Sequence, residues 1–229
     1  MGQASCLSCF YHRAPTQQQL DRQDACPTAN LVNLQIANCR RAILIFPLLL
    51  TTGCLTVRVP EKKQQSEISA LAKKLAGLSA EVSPAEAHRA AEAAVRYPLQ
   101  LAREYRATPP AVINNVFINA GLHSRGLCFQ WADDLTIKLM TLHLQTLELH
   151  RGVAHLGTKH EHSSVVLTAP GQNFSNGIAL DAWRHSGRLN WSPVLTDKYP
   201  WQEVDLIPSY REELRAAAEK LEANPHQAR

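Results

Sequence analysis

Cysteine is nearly absent from most of this chain: five of the six, Cys6, Cys9, Cys26, Cys39 and Cys54, precede residue 55, and only Cys128 follows. A lone thiol cannot close a disulfide on itself, so residues 55–229 carry no disulfide framework. There is no arginine run or basic face of the kind that binds nucleic acid. The formal charge is +4. Four Arg and two Asp lie before residue 55, which leaves 20 basic against 18 acidic residues beyond it. No Gly-rich phosphate loop, internal repeat or HExxH helix occurs. The longest apolar run, Ala42 to Leu50, falls short of the roughly 20 residues a spanning helix needs. What remains is 45% hydrophobic over 229 residues, enough for one ordinary domain and a leader.

The leader is read from Arg40-Arg41, the apolar run and Leu50-Thr51-Thr52-Gly53-Cys54. Basic residues before a short apolar stretch have the form of a secretory signal. The final residues resemble the lipobox of bacterial lipoproteins, with Thr51 standing where that family has an aliphatic residue. The resemblance implies a signal peptide over residues 39–54, lipidation at Cys54, and anchoring in the bacterial cell envelope. Leu55 after the cysteine points to the outer membrane, facing the periplasm. Residues 1–38 are polar and Gln-rich and read as a disordered extension or as the product of a start assigned too early. Met1-Gly2 does not fit myristoylation, because Cys6 stands where Ser or Thr is required. Residues 55–65 read as a polar tether, and residues 66–229 as a single α+β domain.

Within that domain, Ile68, Leu71, Leu75 and Leu78 predict a short amphipathic helix. Ser83-Pro84-Ala85-Glu86 predicts a helix start with a hydroxyl cap and a glutamate reaching back, running to about residue 105. A further helix is expected over 111–120, with Gly121 beyond its end. Leu127, Trp131, Leu135 and Leu139 then recur at helical spacing directly after Gly126. That puts Cys128 in a first helical turn, where free N–H groups and the helix dipole favour thiolate. Residues 163–168 and 178–183 read as an antiparallel hairpin. With His162 opposite Asp181, Val165 pairs with Ile178, and Val165, Leu167, Ile178 and Leu180 share a buried face. His162, Val166, Ala179 and Asp181 then point the other way, towards the cysteine helix. Residues 188–191 and 194–195 read as further strand, 197–201 as a loop covering the site. A capping box at Ser209 to Glu212 opens a last helix to about residue 223.

A cysteine, a histidine to share its proton and an acid to orient the histidine form a nucleophilic set. Cys128, His162 and Asp181 supply it in that order; His160 is the alternative base, and Asp197 or Asp205 could replace Asp181. With Leu180-Asp181-Ala182-Trp183-Arg184, this order resembles the transglutaminase-like and papain-like cysteine hydrolase superfamily, over roughly residues 111–201. The resemblance implies a nucleophile helix packed on a small antiparallel sheet, and acyl transfer at an amide or ester. The chain departs from it at Ala182, where many relatives have proline, and at Ser163, where an aromatic is usual. The usual glutamine before the nucleophile is missing; Asn119 is the candidate oxyanion donor, with His123 and Gln130 as alternatives. Peptide, peptidoglycan and protein remain open as substrates, and a non-catalytic scaffold is the competing reading. His150, His155, His160 and His162 match no common zinc spacing, so neither metal nor cofactor is expected.

Overall fold

The computed structural model describes residues Val57–Asn224. The extension, the signal segment and the lipidation candidate Cys54 lie outside the described residues. Within them the chain is mixed α+β, with five helices and one five-stranded antiparallel sheet.

Helix α1, Glu61–Ala76, buries Ile68, Leu71 and Leu75. It begins earlier than the apolar spacing indicates, so much of the expected tether is helix. Glu61 to Gln65 are all good helix formers, and Arg96 of the next helix fixes the start by bonding the Glu61 carboxylate. Helix α2, Pro84–Glu104, starts as expected, with Ser83 Oγ accepting from the Glu86 amide at 3.4 Å. Its buried Ala87, Ala90, Ala91 and Ala94 form a thin face on which α1 packs closely. Glu86 does not reach back to residue 83. Its carboxylate accepts from the amides of Gln145 and Thr146, at 3.0 and 2.8 Å, and from the Thr146 hydroxyl at 2.7 Å. It thereby holds the connection into the sheet.

Helix α3, Ala111–Asn119, is inside out. Asn114 and Asn115 are buried, whereas Val112, Ile113 and Val116 are exposed. Helix α4, Cys128–Met140, follows Gly126, whose φ of 125° a side chain would not adopt. Gln130 Oε1 accepts from the amides of Gly126 and Leu127, at 2.7 and 2.9 Å, and so closes the open end of the helix.

The strands are β1 Glu148–Ala154, β2 His162–Thr168, β3 Ile178–Asp181, β4 Asn190–Pro193 and β5 Trp201–Glu203, in the order β4-β3-β2-β1-β5. Val165 faces Leu180 and Leu167 faces Ile178. The pair is therefore slid by two residues from the expected register. Alternation fixes only which face a residue takes, and an even slip leaves that unchanged. Val165, Leu167, Ile178 and Leu180 share one buried cluster with Trp131, Leu135 and Leu139 of α4. Val166 and Ala179 lie instead with Ala154, Val194 and Trp201. This corrects the expectation that His162, Val166, Ala179 and Asp181 would turn to the cysteine helix: the four large aliphatics take that layer, and the His162 ring lies on the opposite face against Trp201. Residues 194–196 form a 3-10 turn and not strand.

Helix α5, Pro208–Ala223, has Ile207 at its cap position with no side-chain bond, so the expected box at Ser209 is not formed. Leu214 and Ala218 pack on Ile137 of α4. The buried Arg151 of β1 pairs with Asp133 of α4, and Asp133 also accepts the Tyr210 hydroxyl at 2.5 Å. One carboxylate thus joins the sheet, α4 and α5.

Candidate functional site

Cys128 is the first residue of α4 and is only 2% exposed. Its thiol donates to the carbonyl oxygen of Glu161 at 3.8 Å. Glu161 directly precedes His162, so the sulfur lies against the start of β2. His162 Nε2 lies 2.8 Å from Asp181 Oδ2. A carboxylate only accepts, so Nε2 carries the proton and Nδ1 is left as the basic nitrogen. Nδ1 is buried without a hydrogen-bond partner among the described residues.

Asp181 does not face His162 directly across the strands; the slid register makes their bond a diagonal one. The carboxylate also accepts from Arg184, at 3.0 Å from its amide and 2.8 Å from Nε. Burial alone would raise the Asp181 pKa, but its interactions with His162 and Arg184 outweigh it and hold the carboxyl below its usual range. Arg184 continues to Asp197, at 3.0 and 3.1 Å. Asp197 in turn accepts from the Tyr199 amide at 3.0 Å and from the Ser192 hydroxyl.

Three aromatic rings wall the imidazole: Tyr199 at 4.7 Å, Trp183 at 4.8 Å and Trp201 at 5.3 Å between centroids. The Arg184 guanidinium lies 4.7 Å over the Tyr199 ring. Burial, and then the Asp181 charge, raise the Tyr199 pKa, so its hydroxyl stays protonated at neutral pH. The stretch read as a covering loop does carry a ring onto the histidine.

The remaining candidates separate clearly. His160 is exposed in the turn before β2, while His162 holds the acid. Asp205 is exposed, and Asp197 serves Arg184 instead of an imidazole. Asn119 is exposed at the end of α3. His123 Nδ1 donates to Asn114 Oδ1 at 2.8 Å, and the Gln130 oxygen is engaged in the cap. His150 binds Glu203 and Thr168. Among the described residues no group of three or more His, Cys, Asp or Glu is placed to hold a metal.

Sequence reasoning missed Asn115. It is 3% exposed, and its Oδ1 accepts from Trp183 Nε1 at 3.2 Å, one step from the imidazole. The available signal was two adjacent amides in the middle of a nine-residue helix whose other residues before Asn119 are all apolar. Arg184, which joins the acid to the covering loop, has no sequence signal beyond its place three residues after Asp181.

No family model, curated protein or solved structure matches the chain. Chemically, the arrangement offers a thiol at a helix start and an imidazole oriented by a buried carboxylate. Its basic nitrogen lies in an aromatic enclosure from which bulk water is excluded.

Proposed function

We propose that this chain is a lipid-anchored thiol hydrolase or acyl transferase of the bacterial cell envelope, acting on an amide or ester bond. Cys128 is the nucleophile, His162 the base and Asp181 the orienting acid. The observation that carries the reading is the buried His162–Asp181 bond, which leaves Nδ1 without a partner at the strand end that the Cys128 thiol touches. The nucleophile helix beside an antiparallel sheet supports the papain-like and transglutaminase-like packing that the sequence resembles. Anchoring at Cys54 and the outer-membrane address belong to the same proposal.

The thiol proton passes to His162 Nδ1 and the sulfur attacks the substrate carbonyl carbon. The C–N or C–O bond then breaks as the imidazolium returns that proton to the leaving group. Water or an amine attacks the thioester, again losing its proton to Nδ1, and the thiol is restored. Asp181 keeps Nε2 protonated throughout and stabilises the imidazolium. A peptide, a peptidoglycan crosslink or a protein side chain fits this chemistry.

A second reading, a scaffold that keeps the fold without turnover, is favoured by one observation. Cys128, His162 and Asp181 are 2%, 3% and 1% exposed, and Tyr199 and Trp201 cover the imidazole. Peptide-resolved labelling of native protein with iodoacetamide across pH separates the two. The enzyme reading expects Cys128 to react well below the ordinary thiol pKa of about 8.5, with loss of that profile in His162→Ala. Labelling only after denaturation rejects it in favour of the scaffold.

A further inference from the structure

An open groove of about 1200 Å3 lies away from Cys128. It runs along α2 beside the segment that leads into α1, and reaches the last turn of α4. Five cations line it: Arg58, Arg89, Arg96, Arg103 and Lys138. Arg89, Arg96 and Arg103 are seven residues apart, close to two helical turns, so they form a stripe about 21 Å long on one face of α2. Only two acids line the groove, Glu61 and Glu92, and both pair with Arg96. Arg58 and Arg103 are exposed and have no ion-pair partner among the described residues. Ala93, Leu99 and Leu142 give the floor an apolar character.

The position of this groove in the chain matters as much as its charge. Residues 57–60 belong to the stretch 55–65 read as a polar tether, yet Val57 and Val59 line the groove and the Val59 carbonyl accepts from Gln64 Nε2 at 2.8 Å. Cys54 is only three residues upstream of Val57. Three residues span at most about 11 Å when fully extended. That is close to the distance of about 8–10 Å over which a charged surface acts at ordinary ionic strength.

We propose that this groove is a docking surface for an anionic phospholipid bilayer, with the arginine stripe against headgroup phosphates. The inference rests on acylation of Cys54. Anchoring then brings the groove to the headgroup layer without any further segment, and basic side chains near such a surface are attracted to it. Cys128 and Lys138 stand at opposite ends of α4, about 15 Å apart along the helix axis. A chain docked by the groove therefore holds its thiol away from the lipid.

The test uses the full lipoprotein extracted from membranes and placed in nanodiscs. These are made of phosphatidylcholine alone or of phosphatidylcholine mixed with phosphatidylglycerol. Phenylglyoxal footprinting, read by mass spectrometry, follows individual arginines, with the exposed Arg215 of α5 as internal control. Slower modification of Arg58, Arg89 and Arg103 is expected in the anionic discs only. That protection should disappear at about 1 M salt, where screening shortens to about 3 Å. Arg58→Glu with Arg103→Glu should also remove protection from Arg89, with thermal unfolding reporting that the fold is kept. Equal modification in both discs, or protection that survives salt, overturns the docking surface while leaving the anchor intact. A Cys54 peptide without acyl mass refutes the anchor, and the inference with it.

Discussion

His162 and Asp181 are joined at 2.8 Å across a diagonal of the β2–β3 pair and not between facing positions. Each is buried, and the acid is further held by Arg184 through both its amide and Nε. The geometry therefore depends on the register of two strands and on the tight turn that follows β3.

Replacing the acid tests that dependence. Asp181→Asn keeps the volume but removes the charge that stabilises a protonated imidazole. Cys128-dependent acyl transfer should fall on the order of 10²–10⁴-fold. Urea unfolding should register a loss on the order of 3–5 kcal/mol, because Arg184 loses a buried partner. Unchanged acyl transfer in this variant would remove Asp181 from the mechanism.

Acid stability has a definite sign. Burial pushes both Asp181 and Glu86 upwards, but charge and hydrogen bonds more than compensate in each. His162 and Arg184 do so for Asp181, and Thr146, Gln145 and Arg89 do so for Glu86. Both folded carboxyls thus sit below their unfolded range, so their contribution is complete above about pH 5 and is lost as pH falls through the folded values. The stability gap between wild type and Glu86→Gln should therefore shrink on going from pH 7 to about pH 3.5. Urea midpoints at the two pH values measure it; a constant gap contradicts the assignment.

Two glycines with positive φ separate backbone strain from crowding. At Gly187, φ 103°, a Cβ would come within 2.6 Å of Ala102 Cβ and 2.7 Å of the Pro98 carbonyl oxygen. At Gly121, φ 72°, it would meet nothing within 4 Å. Gly187→Ala should cost about 2–4 kcal/mol, and Gly121→Ala about 1 kcal/mol. Chemical denaturation of the pair checks the ordering.

Asn115 and Asn119 share a helix but not a role. Asn115→Ala leaves the Trp183 N–H without its acceptor and should cost about 1–3 kcal/mol. It should also alter the pH profile of Cys128 alkylation, since Trp183 walls the imidazole. Asn119→Ala, at an exposed helix end, should stay within about 0.5 kcal/mol and leave that profile alone. Parallel labelling of the two variants decides between them.

The helices were legible because their apolar spacing is regular: Leu71 and Leu75, or Trp131, Leu135 and Leu139, need no tertiary context to be read. Strand β1 was not legible. Glu148–Ala154 includes Arg151 and Gly152, and its burial depends on Asp133 and on neighbours distant in sequence. Alternation in β2 and β3 gave the faces but not the register, which the turn at 174–177 sets. His162 could be preferred over His160 from its place at a strand start. Asn115 could not be distinguished from Asn119, because the apolar residues of α3 point outward and reverse the usual reading of an amphipathic helix.

Arg184 pairs with both Asp181 and Asp197, and Asp197 also holds the amide of Tyr199. Lifting that tyrosine off the histidine by breaking the second ion pair would redistribute the guanidinium towards the first. Access to the thiol and the basicity of the imidazole are on this account two readouts of a single equilibrium. On the proposed mechanism, a substrate that wedges the roof apart would also retune the imidazole that takes the thiol proton.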